Sequence, residues 1–279
     1  MSIFHTVGFW IKPASGVVYE PDFQTYLDSL VTPLSDLQKQ YMNEYYVGIK
    51  TDFNINLLSE IADQILFLAG ETAGSSLKNI VKRAHDATAV KSPTYTQYEG
   101  VAGDGISAYI DTNFNGFQDG STYALNNASI GVYSRTNVDV LDAAVGCHTN
   151  STNFAHIVMK NSGFASMRVH NGVYPFINES VADSLGMYFA TRNAANQAGL
   201  TGWKNKVNLP FYSGTGNTTS IPDLNFYLLA RNNAGTAERF APRQLAFSIM
   251  GRYYNKTEVG YLTDRFETYM DKRGKGVIS

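Results

Sequence analysis

The sequence has 279 residues, 44% of them hydrophobic and 16% charged, with a net charge of −2. That is enough apolar material for one large core or two small ones, and it excludes a disordered chain. The near-neutral balance gives no electrostatic reason to expect nucleic acid or an anionic membrane as partner, and the single Cys147 excludes an intramolecular disulfide framework.

In chain order, the opening stretch MSIFHTVGFWIKPASG is broken by His5 and Lys12 and lacks a basic leader, so no signal peptide is expected. No apolar run approaches the ~18 residues of a membrane span. Phe4, Phe9 and Trp10 make this stretch too apolar to float free. They are expected to anchor the chain to a neighbouring subunit by adding a strand to it, or to form a strand in the chain's own sheet. Next, Phe23, Tyr26, Leu27 and Leu30 recur at helical spacing until Pro33. Ser35-x-x-Gln38 then offers a capping box for a second helix carrying Leu37, Tyr41 and Tyr45 on one face. The two helices read as a hairpin covering one end of the domain, or as a docking module. Residues 65–70, ILFLAG, read as a buried strand or the end of a helix.

Beyond residue 95 the pattern changes to short strands separated by Gly, Asn and Ser turns: ISAYID (106–111), ASIGVYS (128–134), AHIVMKN (155–161), ASMRVHN (165–171), GMYFATR (186–192), LNFYLLAR (224–231) and QLAFSIMG (244–251). In ASMRVHN the alternation sends Ser166, Arg168 and His170 one way and Met167 and Val169 the other. Strands in such number, with 18 Tyr, 16 Phe and 24 Gly in the chain, point to an antiparallel sandwich. The last element differs: Thr257 is the expected N-cap of a helix with the stripe Leu262, Phe266, Tyr269 and Met270, stopped at Gly274.

Three stretches carry a family resemblance: ILFLAGETAGSSLKNIVKRAHDATAVKSPTYTQYEGVAGDGISAYIDTNFN, YALNNASIGVYSRTNVD, and FYLLARNNAGTAERFAPRQLAFSIMGRYYNKTEVGYLTDRFETYMDKRG. Through them residues 64–274 resemble a β-sandwich module of tailed-phage and prophage virion proteins, similar to concanavalin A-like and laminin-G-like sandwiches. The resemblance implies a mainly β fold: an antiparallel, jelly-roll type sandwich with an N-terminal helical segment and a C-terminal helix. It divides the chain into an anchoring segment, 1–62, and a sandwich domain, 63–279. It further implies a virion structural protein made in the bacterial host cytoplasm and displayed on the particle as fibre, spike or decoration. Expected partners are capsid or tail subunits, further copies of the chain, and a host surface glycan or receptor bound by the sandwich. The alternative is a glycan-processing hydrolase on the same fold.

The chemistry-bearing residues are few. DTNFNGFQDGST, 111–122, begins like an EF-hand loop, but Thr122 stands where the bidentate Glu belongs. Two readings stay open: a calcium site on Asp111, Asn113, Asn115 and Asp119 lacking its strongest ligand, or a set of Asx turns with Gly116 and Gly120 at positive φ. No other cofactor is expected. The Glu-x-Asp-x-x-Glu strand of concanavalin A-like endoglucanases is absent, and Glu179 and Glu238 are the only glutamates between residues 100 and 250. The chain is therefore expected not to be an enzyme. Trp203, with Phe211 and Tyr212, is placed in a long polar loop, either as a stacking platform for a sugar ring or as pins holding the loop down.

Overall fold

The computed structural model describes residues 17–149, 153–172, 176–213 and 218–278; the side chains of 211–213 are outside the description. The anchoring residues Phe4, Phe9 and Trp10 lie outside the described residues as well.

Two sheets stack face to face, as the sandwich expectation requires. The first runs Val207–Leu209, Leu200–Lys204, Gly186–Arg192, Ala128–Ser134, Gln244–Gly251, Gly100–Ala102 and Thr94–Thr96, with Ala62–Leu66 also paired to Gln244–Gly251. The second runs Phe211–Ser213, Phe176–Ser180, Phe164–Asn171, Phe154–Asn161, Val145–His148, Asn225–Leu228, Tyr109–Asn115 and Thr88–Val90. A hairpin of Arg231–Asn233 and Thr236–Glu238 joins it by a short parallel pairing to Val145–His148; the other pairings are antiparallel. Alternation builds both faces. In Gly186–Arg192, Tyr188 and Ala190 enter the core between the sheets, while Met187 and Phe189 face outward. A bulge between Leu245 and Phe247 changes the phase within the strand Gln244–Gly251, so Leu245 and Met250 point in while Phe247 and Ile249 point out.

Those outward residues of the first sheet are covered by helices α1 (Pro21–Leu27), α2 (Asp36–Phe53) and α4 (Lys256–Asp271), α3 being the short turn Ala73–Ser76. Phe67 is the centre of this second core. Its ring meets Tyr45, Phe247, Phe266 and Tyr269 edge-on, with centroids 4.6, 5.7, 5.4 and 5.1 Å away. Arg265 on α4 grips Asp52 on α2 with two hydrogen bonds of 2.6 and 2.8 Å.

Several local expectations change. Of the two readings of residues 65–70, the buried strand is the one found, with Ile65 and Leu66 ending the strand Ala62–Leu66. The buried face of α2 is Gln38, Met42, Tyr45, Tyr46 and Ile49, whereas Leu37 is exposed. Ser35 accepts from the Gln38 N–H, but the Gln38 side chain does not complete the box: its Nε2 donates to the Tyr269 hydroxyl 2.7 Å away. Asn255, not Thr257, caps α4, accepting from Thr257 and Glu258. The strand expected at 106 begins at Tyr109. The Asp104 carboxylate collects the N–H groups of Ile106, Ser107 and Ala108 and holds that stretch in a turn.

Candidate functional site

Among the described residues no helix covers the outer face of the second sheet, and its strands shape a groove of about 500 Å³. Its floor comes from register. Val158 lies opposite Ser166, and Ser166 opposite Asn178, making one row across three strands. His156 lies opposite Arg168 in the next row, and Gly146 opposite His156. A Cβ at Gly146 would stand 2.6 Å from that of His156, so only glycine lets the imidazole lie over that strand.

The walls are aromatic and cationic. His148 stacks on Phe154 with centroids 4.7 Å apart and planes 8° from parallel. The Arg168 guanidinium sits 4.7 Å from the Phe154 centroid and 5.0 Å from that of Phe176. Rings hold a guanidinium by its face. Arg231 is held differently: Nε donates to Glu238 Oε1 at 2.9 Å, and Nη2 contacts the same oxygen. Arg239 lines the groove from a backbone conformation of φ 52° and makes no ion pair among the described residues. Asn161, Asn178, Asn233 and Ser166 add amide and hydroxyl groups, and Phe164 and Leu141 are exposed at the rim.

Electrostatically the groove differs from the chain as a whole, which carries a net charge of −2. Among the described residues, three arginines and two histidines line it, and no Asp or Glu does. Glu238, beside it, pairs with Arg231 and lies 3.5 Å from His148 Nε2. Burial holds the pKa of His156 well below its ordinary value, and Arg168, Arg231, Arg239 and His148 push it further, so the ring is neutral at pH 7. Its Nδ1 is buried without a hydrogen-bond partner.

The sequence-predicted sites fall elsewhere. Trp203 is a correction: it lies in the strand Leu200–Lys204, not in a loop, and is 6% exposed in the core beneath the helices. Its N–H donates to Thr191 Oγ1 at 3.3 Å, and a ring buried on that side has no face to offer a sugar. Phe211 and Tyr212 form part of the edge strand Phe211–Ser213.

The oxygens of the calcium-like loop are turned to the chain itself. Asp111 accepts from Asn113 N and Asn225 Nδ2 at 2.8 and 3.0 Å, Asp119 from Asn115 N at 2.9 Å, and Asn115 from Phe117 N at 3.0 Å. The Asn113 amide nitrogen donates to the Asp86 carbonyl at 2.7 Å. Among the described residues no group of three or more His, Cys, Asp or Glu could hold a metal. The left-handed residue is Asn113, φ 52°, and not Gly116 or Gly120. Thr122 acts as a donor. With Ser121 and the Tyr123 N–H it feeds the buried Asp63 carboxylate through five hydrogen bonds of 2.7–3.1 Å.

His170 is a second correction. Its φ of 55° breaks the alternation and turns the ring inward, where it bonds the Tyr123 hydroxyl and the Leu125 carbonyl at 2.8 and 2.7 Å. Ser166 and Arg168 alone of that predicted trio reach the groove. His156, Phe154 and Arg231 were not anticipated. The signal for His156 was present: AHIVMKN places it on the same face as Val158, beside the polar face of ASMRVHN.

No family model matches the chain, and no curated protein matches it in sequence. Among solved structures it is similar to a Trypanosoma rangeli sialidase in complex with 2,3-difluorosialic acid, a covalent intermediate, with a TM-score of 0.50 and 14% identity. That match covers 86% of this chain but only 40% of the sialidase, so the chain spans less than half of that enzyme's length. The carbohydrate-binding module CBM40 of a Ruminococcus gnavus IT-sialidase, bound to α2,3-sialyllactose, matches at TM-score 0.40 and 16% identity over 50% of this chain and 83% of the module. A mutant NanB sialidase from Streptococcus pneumoniae matches at 0.39 and 12% identity over 48% of this chain and 23% of that protein. At these identities what is shared with the first is the fold, and the other two scores are too low to carry an argument.

The comparison overturns one expectation. The chain was expected not to be an enzyme because a paired-carboxylate strand is missing. The Trypanosoma rangeli chain that shares the fold is a sialidase, and sialidases are among the glycosidases that depart from the two-carboxylate scheme. The missing motif therefore excludes nothing. The structure that shares the fold is a sialidase and not a virion protein, so the virion assignment rests on the sequence resemblance alone.

Proposed function

We propose that this chain is a carbohydrate-binding β-sandwich whose binding site is the groove on the open face of the second sheet. The observation that carries this reading is the groove's make-up. Amide and hydroxyl groups of Asn161, Ser166 and Asn178 sit within one cavity of about 500 Å³ beside the rings of Phe154 and Phe164. A sugar ring presents the matching chemistry, with hydroxyls around its edge and an apolar C–H face. The groups stand on paired strands, which fixes their spacing before a ligand arrives. The fold shared with a sialidase that binds 2,3-difluorosialic acid agrees with this class of ligand.

The test is a glycan array probed with the full chain and with Ser166→Trp, which fills the groove from its floor. Loss of the bound signal by more than about tenfold is expected, the cost of replacing a well-fitted ligand by a clash. Unchanged binding by the variant, or binding of no glycan by the parent, overturns the reading.

A hydrolytic reading of the same groove has one observation in its favour: the Glu238 carboxylate stands beside His148 at the groove's edge, 3.5 Å away. Release of free sugar by the parent and its loss in Glu238→Gln would establish it. The setting we propose is the surface of a phage particle, where the chain is a fibre, spike or decoration assembled from copies made in the host cytoplasm. The supports are the three stretches quoted above and the apolar segment with Phe4, Phe9 and Trp10, which would join it to capsid or tail subunits. Deletion of residues 1–20 should abolish incorporation into particles, and normal occupancy would refute the anchor.

A further inference from the structure

We propose that residues 1–16 dock on their own chain, with Phe9 and Trp10 seated in a groove between the stretch 17–19 and the first half of α2. The inference concerns the free chain and rests on neither the saccharide site nor the particle setting; a subunit that takes this segment as its anchor must first displace it. The groove holds about 790 Å³ and lies on the helical side of the molecule, away from the second sheet. Val17, Tyr19 and Leu37 are its apolar lining among the described residues. Two of the three are left open, Val17 at 59% and Leu37 at 49% exposed, with Val18 beside them at 68%. Exposed apolar side chains gathered at one concavity mark a contact surface.

Three observations point to the occupant. The first is where the described residues begin. The Glu20 N–H donates to Asn43 Oδ1 at 2.8 Å and the Glu20 carboxylate meets Lys50, which ties this stretch to α2. Tyr19 is fixed edge-on to Phe23, with centroids 5.4 Å apart. Val17 then lines the groove beside Leu37 and Gln40, so the residues before it start inside the groove. The second is reach. Trp10 lies seven positions before Val17, a span of up to about 25 Å in extended chain, whereas residues 36–44 of α2 rise only about 12 Å. Pro13 and Gly16 are turn-forming residues, so the chain between can double back over the groove. The third is chemistry. Residues 1–16 hold Phe4, Phe9 and Trp10, and carry Lys12 but no Asp or Glu. The groove sets Asp36 and Glu44 against a single Lys39, and the Asp36 side chain is almost wholly exposed, a carboxylate for Lys12 to meet. A segment joined to the groove by so short a stretch acts at an effective concentration of about millimolar order, which favours it over any free partner.

Trp10 and Trp203 are the two tryptophans of the chain, so Trp203→Phe leaves Trp10 as the only indole reporter. Its emission should lie well to the blue of the same protein in denaturant. It should hold that position over about a hundredfold range of protein concentration, as an intramolecular contact requires. Adding Val17→Ser and Leu37→Gln, both at exposed positions, should move the emission to the red and leave the far-ultraviolet dichroism unchanged, because Gln suits a helix. Should Trp203→Phe not fold, the parent chain answers by itself. Chymotrypsin cleavage after Phe9 and Trp10, followed by mass spectrometry, should be about tenfold slower than in Val17→Ser/Leu37→Gln, since cleavage tracks the open population. Trp10 emission at its denatured position, or cleavage equally fast in parent and double variant, overturns the docking. Blue emission that the double variant leaves unmoved puts the segment elsewhere and overturns the groove. A blue shift that arises only where sedimentation shows a dimer overturns the self-contact and gives the groove to a second copy.

Discussion

The outer faces of the two sheets are built by the same alternation and end in opposite chemistries. On the first sheet, Phe67, Tyr133, Phe189 and Phe247 point outward into a dry layer closed by α2 and α4. On the second, His156, Ser166, Arg168 and Asn178 point outward into an open groove. One face commits its aromatic rings to packing and the other keeps polar groups at spacings that packing does not demand. The difference teaches where to look for function in a sandwich: on the face that polar residues occupy and that no described element covers.

The comparison can be broken most forcefully at the covered face. Phe67→Ala removes the ring that four others meet edge-on, and a loss of about 3–5 kcal/mol in unfolding free energy is expected. Denaturant melts would measure it, and a change under about 1 kcal/mol would mean that the helical layer is not part of the cooperative core. Asp63→Ala comes next. It strips the acceptor from five donors around Ser121, Thr122 and Tyr123, at about 2–3 kcal/mol for buried groups left unpaired. Because Asp63 ties the calcium-like loop to the first sheet, the loss should be the same with calcium or with a chelator present. Rescue by calcium would reopen the metal reading.

Much of this arrangement is legible in the sequence, for a physical reason. Strands of seven or eight residues such as Ala128–Ser134, Gly186–Arg192 and Gln244–Gly251 are long enough to display a period of two. Three-residue strands such as Thr88–Val90 or Val207–Leu209 are not, and the five-residue Leu200–Lys204, broken in pattern by Gly202, let Trp203 look like a loop residue. The groove was half legible. Arg168 and Ser166 declare their face, but Arg231 arrives from a hairpin more than sixty positions later in the chain, through a parallel pairing with Val145–His148. His170 defeated the pattern because one residue at positive φ inverts every inference drawn from alternation.

That inverted histidine supplies the third test. Burial holds His170 down at about 3 and His156 well below the ordinary histidine value, so the unfolded chain binds protons that the folded chain refuses. The sign follows: the stability these groups contribute is present above about pH 6.5 and is lost as pH falls, by about 1.4 kcal/mol per pH unit for each histidine. Asp142 acts in the opposite sense, since burial pushes its carboxyl up to about 6 despite Arg243. Subtracting the stability of His170→Gln from that of the parent at each pH cancels Asp142 and isolates the histidine. The difference should shrink from pH 6.5 to 4.5, and a flat difference would place a charged imidazole in the core.

The smallest effect on stability is expected at the groove's rim, and there the two faces separate most cleanly. Phe164 is 43% exposed at the start of its strand, so Phe164→Ser should cost no more than about 1 kcal/mol in unfolding. If the ring is a platform for the apolar face of a sugar, the same change should weaken glycan binding about two- to tenfold, the contribution of one aromatic contact. Trp203→Phe supplies the mirror image: stability lost, with glycan affinity untouched, because its ring lies beneath the helices. Affinity falling with Trp203→Phe and holding with Phe164→Ser would move the site to the other face of the molecule. Calorimetric titration and thermal melts on the same two proteins decide it, since each variant is predicted to move one readout and spare the other.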